Sequence, residues 1–164
     1  MLTHRRRPLS TTAVLLGLGV LLGGCAVPSS GSAGAEMDDA AVIAGIEGIP
    51  GVVEAGIGSY NTGVPGAFAV NVSLTVDEKG LEDIGDVMHE TIRVVAADPG
   101  DYQSYDFEVT APEADGTVSD SEDAPPELVI ITLESYDDVI DLPVGTYLGS
   151  TLSLTADELR EFQG

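Results

Sequence analysis

Phe68, Val70, Val72, Leu74 and Val76 alternate with Ala69, Asn71, Ser73 and Thr75. A strict period of two marks a strand with one buried and one wet face. The same alternation returns over Ser104–Thr110, where Tyr105, Phe107 and Val109 are interleaved with Asp106, Glu108 and Thr110. Val52–Tyr60 reads as a weaker strand, interrupted by Gly56 and Gly58, and the loop NTGVPG (61–66) should turn it into a hairpin with 68–76. Leu128–Leu133 is an apolar run but for Thr132, which predicts a strand in the middle of the sheet. Tyr147–Leu154 predicts a final strand.

Helical spacing appears between these strands. Leu81, Ile84, Met88, Ile92 and Val95 fall three or four apart, so 76–97 predicts one helix with an apolar stripe, stopped by Asp98-Pro99-Gly100. Asp38–Ile46 predicts a short helix with Asp38 or Asp39 near its N-terminus, Val42, Ile43 and Ile46 inward, and Gly48 and Pro50-Gly51 at its end. Ala156–Phe162 predicts a last short helix. A local echo accompanies two of the strand-to-helix steps: Ser73-Leu74-Thr75-Val76-Asp77-Glu78 recurs as Ser153-Leu154-Thr155-Ala156-Asp157-Glu158. Thr and Glu three apart predict a capping box in each copy, and convergence on one cap explains the echo more simply than duplication. The element order implies an α+β fold: a mainly antiparallel sheet of four to five strands with helices on one face. It resembles a ferredoxin-like plait or a rearranged relative.

Charge narrows the function classes. The chain carries 28 acids against six Lys and Arg, and a formal charge of −22. Three of the cations are Arg5, Arg6 and Arg7; beyond them stand Lys79, Arg93 and Arg160, while every acid lies after residue 25. A nucleic-acid footprint requires a basic patch, so nucleic acid is excluded as a partner. The domain should also be repelled by anionic lipid. Residues 111–127, APEADGTVSDSEDAPPE, are dense in acids and hold three prolines and no cation, the composition of a mobile loop. High charge of one sign serves solubility first and binding of cations or basic partners second.

The N-terminal pattern is of a different kind. An arginine cluster precedes Ala13–Leu22, ten residues of Ala, Val, Leu and Gly alone, and two glycines follow. That is the layout of a secretory signal. A membrane-spanning helix needs about 20 apolar residues, and Gly17 and Gly19 further weaken a permanent helix. Pro8-Leu9-Ser10 fits twin-arginine export poorly. Leu22-Gly23-Gly24-Cys25 resembles the lipobox of bacterial lipoproteins. The resemblance implies cleavage between Gly24 and Cys25 and a diacylglyceryl group on the Cys25 thiol. An ordinary secretory signal with an incidental cysteine is the alternative. Two acyl chains suffice for stable membrane attachment where one does not. The stretches GIPGVVEA, SLTVDE and YLGSTLSLT are similar to small lipoproteins of high-GC Gram-positive bacteria, a likeness that implies no activity. The expected organisation is therefore a signal peptide at 1–24, a lipidated flexible tether at 25–36, and a single acidic α+β domain at 37–164. The tether AVPSSGSAGAE spans roughly 18 Å on average if it behaves as a random coil. Cys25 is the chain's one cysteine, so no disulfide joins any part of it.

Catalytic motifs are sparse. His89-Glu90 begins like a zinc-protease helix motif, but the position four residues after His89 is Arg93, so the motif fails and His89 reads as a boundary residue. No G-x-S-x-G elbow accompanies it. The stretch GIGSYNTG matches neither dinucleotide nor P-loop fingerprints. Two acidic clusters, Asp137/Asp138/Asp141 and Glu122/Asp123/Glu127, suit calcium by chemistry but lack EF-hand spacing. The sequence thus names no catalytic residue, no metal ligand and no cofactor. It favours a lipid-anchored, extracytoplasmic cell-envelope lipoprotein acting as a non-catalytic binding module. Its partners would be the membrane, through the diacylglyceryl group on Cys25, and an envelope protein. A calcium- or cation-binding surface protein is the first alternative, and a carboxylate-dependent hydrolase the second.

Overall fold

The alternating segments form the centre of the sheet. The computed structural model describes residues 36–112 and 128–163. Outside these residues lie the expected signal segment, Cys25 and most of the tether, together with the acidic loop from 113 and its Glu122, Asp123 and Glu127. Among the described residues no helix is long and apolar enough to cross a membrane.

The chain runs α1 (Asp39–Glu47), β1 (Val52–Asn61), β2 (Phe68–Val76), α2 (Glu78–Glu82), α3 (Ile84–Ala97), β3 (Ser104–Pro112) and β4 (Leu128–Ile130). A 3₁₀ turn (Leu133–Tyr136), α4 (Asp137–Ile140), β5 (Thr146–Leu148), β6 (Thr151–Thr155) and α5 (Ala156–Arg160) complete it. The sheet order is β1-β2-β3-β6-β5, with β4 also paired to β3. The β1–β2 hairpin is antiparallel as expected, and so are the β3–β4, β3–β6 and β5–β6 pairs. β2 and β3 are parallel neighbours, joined by the helical crossover that parallel pairing requires. The fold is therefore α+β with a mixed, mostly antiparallel sheet. Its crossover is unsplit, with no strand between β2 and β3, unlike the split crossover of a ferredoxin-like plait.

One face of this sheet carries the core. Val70, Val72, Leu74 and Val76 of β2, Tyr105, Phe107 and Val109 of β3, and Leu152 and Leu154 of β6 are all buried. They share one cluster with Val42 and Ile46 of α1, the Ile84, Met88, Ile92 and Val95 stripe of α3, and Leu159 of α5. Each fully buried large side chain contributes about 1.5–3 kcal/mol relative to exposure. The helix ends are tied by specific bonds. Asp38 caps α1 by accepting from the Ala41 N–H, and its own N–H donates to Asp98 after α3. Tyr105 directs its hydroxyl to the Pro99 carbonyl at 2.7 Å.

Four sequence expectations change. The single helix over 76–97 is two helices, broken at Asp83 (φ −99°, ψ 26°). Gly80 abuts Gly51 so closely that a Cβ on it would lie 2.3 Å from the Gly51 carbonyl oxygen. α2 thus docks on the start of β1 while α3 lies along the sheet, and one straight helix cannot do both. Second, the Thr75/Glu78 capping box does not form. Thr75 is spent on Thr110 across β2 and β3, and Asp77 caps α2 by accepting from the Gly80 N–H at 2.8 Å. In the other copy Thr155 and Glu158 do form the box, so the two echoes do different work. Third, Leu128–Leu133 is not a central strand. β6 already occupies β3 over Ser104–Glu108, leaving β4 only Thr110–Pro112 to pair with. The apolar run then leaves the sheet, and Ile131 and Leu133 plug the core. Fourth, Tyr147–Leu154 is a hairpin: Gly149 takes φ +67° at the first loop position, as a type II′ turn requires. That extra turn raises the strand count to six.

Val72→Asp should leave the chain unfolded, since an unpaired charge at a fully buried position costs several kcal/mol against a total stability of about 5–15 kcal/mol. A cooperative melt like that of the parent would show that this face of β2 is not the core. Asp77→Ala and Thr155→Ala should each cost about 1 kcal/mol as lost caps. Denaturant titration checks both, and a cap-sized loss in neither variant would discount the capping geometry.

Candidate functional site: the uncovered face of the sheet

The polar members of the alternation stand on the face opposite the helices. Register puts them in transverse rows. Gly58 pairs with Asn71, Asn71 with Asp106 and Asp106 with Ser153, and one row along Gly56, Ser73, Glu108 and Thr151 follow. Beyond them Thr75 pairs with Thr110. Three apolar side chains rim the face: Leu128 and Ile130 on β4 and Leu148 on β5, the last 65% exposed.

The polar groups on this face largely satisfy one another. Tyr60 crosses β2 and donates its phenol hydrogen to Asp106. Ala69, the β2 residue paired with Tyr60, is buried even though it faces away from the core. Thr151 donates to Glu108 at 3.2 Å, and Ser73 reaches the Gly56 carbonyl at 3.4 Å. Thr110 donates to the Leu74 carbonyl, so its single hydrogen is used and Thr75 must be the donor in their 3.0 Å contact. Hydrogen bonding to Asp106 raises the Tyr60 phenol above its ordinary 10.0, with partial burial and the charges of Asp106 and Glu108 acting in the same direction.

Asp106 and Glu108 stand two residues apart on one side of β3, both half-buried. Acid–base work by two carboxylates needs surroundings that drive their pKa values apart. Among the described residues the helices pack on the face opposite this pair.

The other sequence candidates fall elsewhere. His89 is half-buried on α3, and its Nε2–H donates to the Ile140 carbonyl at 2.6 Å, which fixes the tautomer and ties α3 to α4. Gly85 makes that approach possible, since a Cβ there would lie 2.6 Å from the Val139 carbonyl oxygen. An open groove of about 360 Å³ beside His89 is lined by Glu82, Asp86 and Asp141 among others. Asp137 and Asp138 begin α4, and Asp141 ends it at φ 45°. Among the described residues no group of three His, Cys, Asp or Glu side chains gathers as a metal site would require. Lys79 pairs with Asp83 at 2.7 Å, Arg93 with Glu90 and Arg160 with Asp157. All three cations are therefore engaged locally on helices, in exposed pairs worth little to stability.

The alternation had placed Asn71, Ser73, Asp106 and Glu108 on wet faces. It gave no hint that Tyr60 and Asp106 meet, because strand order carries no local signal. No protein-family model matches the chain, and no curated protein or solved structure is significantly similar to it.

Because the folded chain favours neutral Tyr60, this contribution to stability is complete below pH of about 10 and is lost as pH rises through the elevated folded-state value. An absorbance titration, with Tyr60→Phe subtracted to isolate this residue among the five tyrosines, should show the midpoint falling towards 10 in Asp106→Ala. An unchanged midpoint would mean that the phenol and carboxylate do not interact in solution.

Proposed function

We propose that the protein is a lipid-anchored lipoprotein on the extracytoplasmic face of the cell membrane, whose acidic domain is a non-catalytic binding module. In this reading the signal is removed after Gly24, Cys25 carries a diacylglyceryl group, and residues 25–36 are the tether. Two acyl chains supply lasting attachment, at about 0.8 kcal/mol per buried CH₂. The tether and the repulsion between an acidic domain and anionic lipid hold the globule clear of the membrane.

The observation that carries the binding role is the bare sheet. Among the described residues the helices gather on one side, leaving the other face and the outer edge of β1 uncovered. Exposed sheet edges are a recurrent means of taking up extended partners. The partner is an envelope protein.

Cells fed labelled palmitate test the anchor. The parent chain should incorporate label and sediment with membranes; Cys25→Ala should be unlabelled and appear in the medium. Label persisting in Cys25→Ala would remove the lipid anchor from the reading.

A further inference from the structure

We propose that the outer edge of β1, over Ile57–Asn61, accepts an extended cationic segment of a partner as an added strand. The inference deepens the binding role above and rests on it.

Among the described residues β1 is an end strand of the sheet, with no strand paired to its outer side. Which groups point outward can be read from two bonds. The Ala55 N–H turns away from β2 and meets the Glu47 carboxylate at 3.4 Å, and the Thr62 N–H turns inward to the Ala67 carbonyl at 3.1 Å. In an antiparallel ladder inward and outward residues alternate. The main-chain groups of Ile57, Ser59 and Asn61 therefore face outward. The end of α1 guards the edge at Ala55. Beyond it Gly58, Ser59, Tyr60 and Asn61 are exposed. The open-face side chains are largely bonded to one another, whereas this backbone row is not matched by a neighbouring strand.

Gly58 adds an independent sign. A Cβ on Gly56 would lie 2.7 Å from the Ser73 hydroxyl, so packing requires that glycine, but a Cβ on Gly58 would meet nothing within 4 Å. Packing within the chain leaves Gly58 unexplained. A glycine inside a strand often marks the close approach of another backbone or ligand.

Charge selects the occupant. Glu47 and Glu54 flank the entrance to the edge, Asp106 and Glu108 lie further in, and among the described residues no Lys or Arg stands on the sheet. Inward or flanking charges on an edge strand discourage pairing with a like strand. A second copy of β1 would bring the same carboxylates against these ones, within a chain of net charge −22. A strand bearing Lys or Arg on alternate positions meets the opposite situation, and its long side chains can lie across the space left by Gly58.

Amide hydrogen exchange on the full chain tests this with two short peptides, one alternating lysine and valine, the other glutamate and valine. The cationic peptide should slow exchange at Ile57 and Ser59 by about tenfold or more. Added salt should weaken the effect, since exposed charges are screened over about 8 Å at physiological ionic strength. Ser59→Pro, which deletes an outward N–H at an edge position where proline is tolerated, should abolish the protection. The double variant Glu47→Gln/Glu54→Gln keeps every backbone group and should reduce it. Equal protection by the glutamate peptide, protection on Thr146–Leu148 of β5 instead, or protection of Ile57 and Ser59 that grows with chain concentration without peptide would each overturn the proposal. Spectral changes confined to Asn71 and Asp106 would also overturn it, while leaving the open-face binding role intact.

Discussion

Everything in this fold depends on the side-by-side parallel pairing of β2 and β3. Two parallel neighbours cannot be joined by a tight turn, so the chain must travel back over one face of the sheet before β3 can begin. It does so as α2 and α3, and the apolar stripe of α3 chooses the face: the one showing Val70, Val72, Leu74, Tyr105, Phe107 and Val109. Once that side is taken, the remaining elements have little freedom. α1 and α5 add their buried residues to the same cluster, and the hairpins extend the sheet sideways. Among the described residues no helix lies on the other face.

The acidity of the chain is compatible with this plan because, among the described residues, no carboxylate enters the core. The one buried polar side chain among the described residues is Thr91. Cohesion comes from apolar burial and capped helix ends, and the charge acts on what the surface permits. It favours solubility and turns away identical copies. Local ion pairs such as Lys79–Asp83 occupy the few cations without changing that field.

The sequence revealed what depends on near neighbours. Alternation located β2, most of β3 and the hairpin partner of β2, and three-and-four spacing located the face of α3. What escaped it depended on contacts distant along the chain. The break at Asp83 answers to Gly51, nearly thirty residues earlier, meeting Gly80. The apolar run at Leu128–Leu133 has the composition of a central strand, but β6, later in the chain, holds the place beside β3. The glycine of YLGSTLSLT is a hairpin signal, masked by flanking residues that favour strand on both sides. At the candidate site the wet residues were legible one strand at a time, and the rows they form were not, since register between β2, β3 and β6 is a property of the assembled sheet.

The division of labour on the open face bears on how the proposed binding role would work there. Side chains able to offer hydrogen bonds to a ligand are committed: Tyr60 to Asp106, Thr151 to Glu108, Thr75 to Thr110. Committed polar groups make a rigid, well-hydrated surface with little affinity of its own, because a ligand would have to break internal bonds to form new ones. The outward backbone groups of β1 carry no such cost. In the proposed binding role their hydrogen bonds, directional and alike for any extended chain, would supply affinity without discrimination. Discrimination would then fall to the carboxylates at the rim of that edge, which act at a distance and by sign. A recognition surface assembled this way is specific for the charge and extension of its partner more than for its sequence.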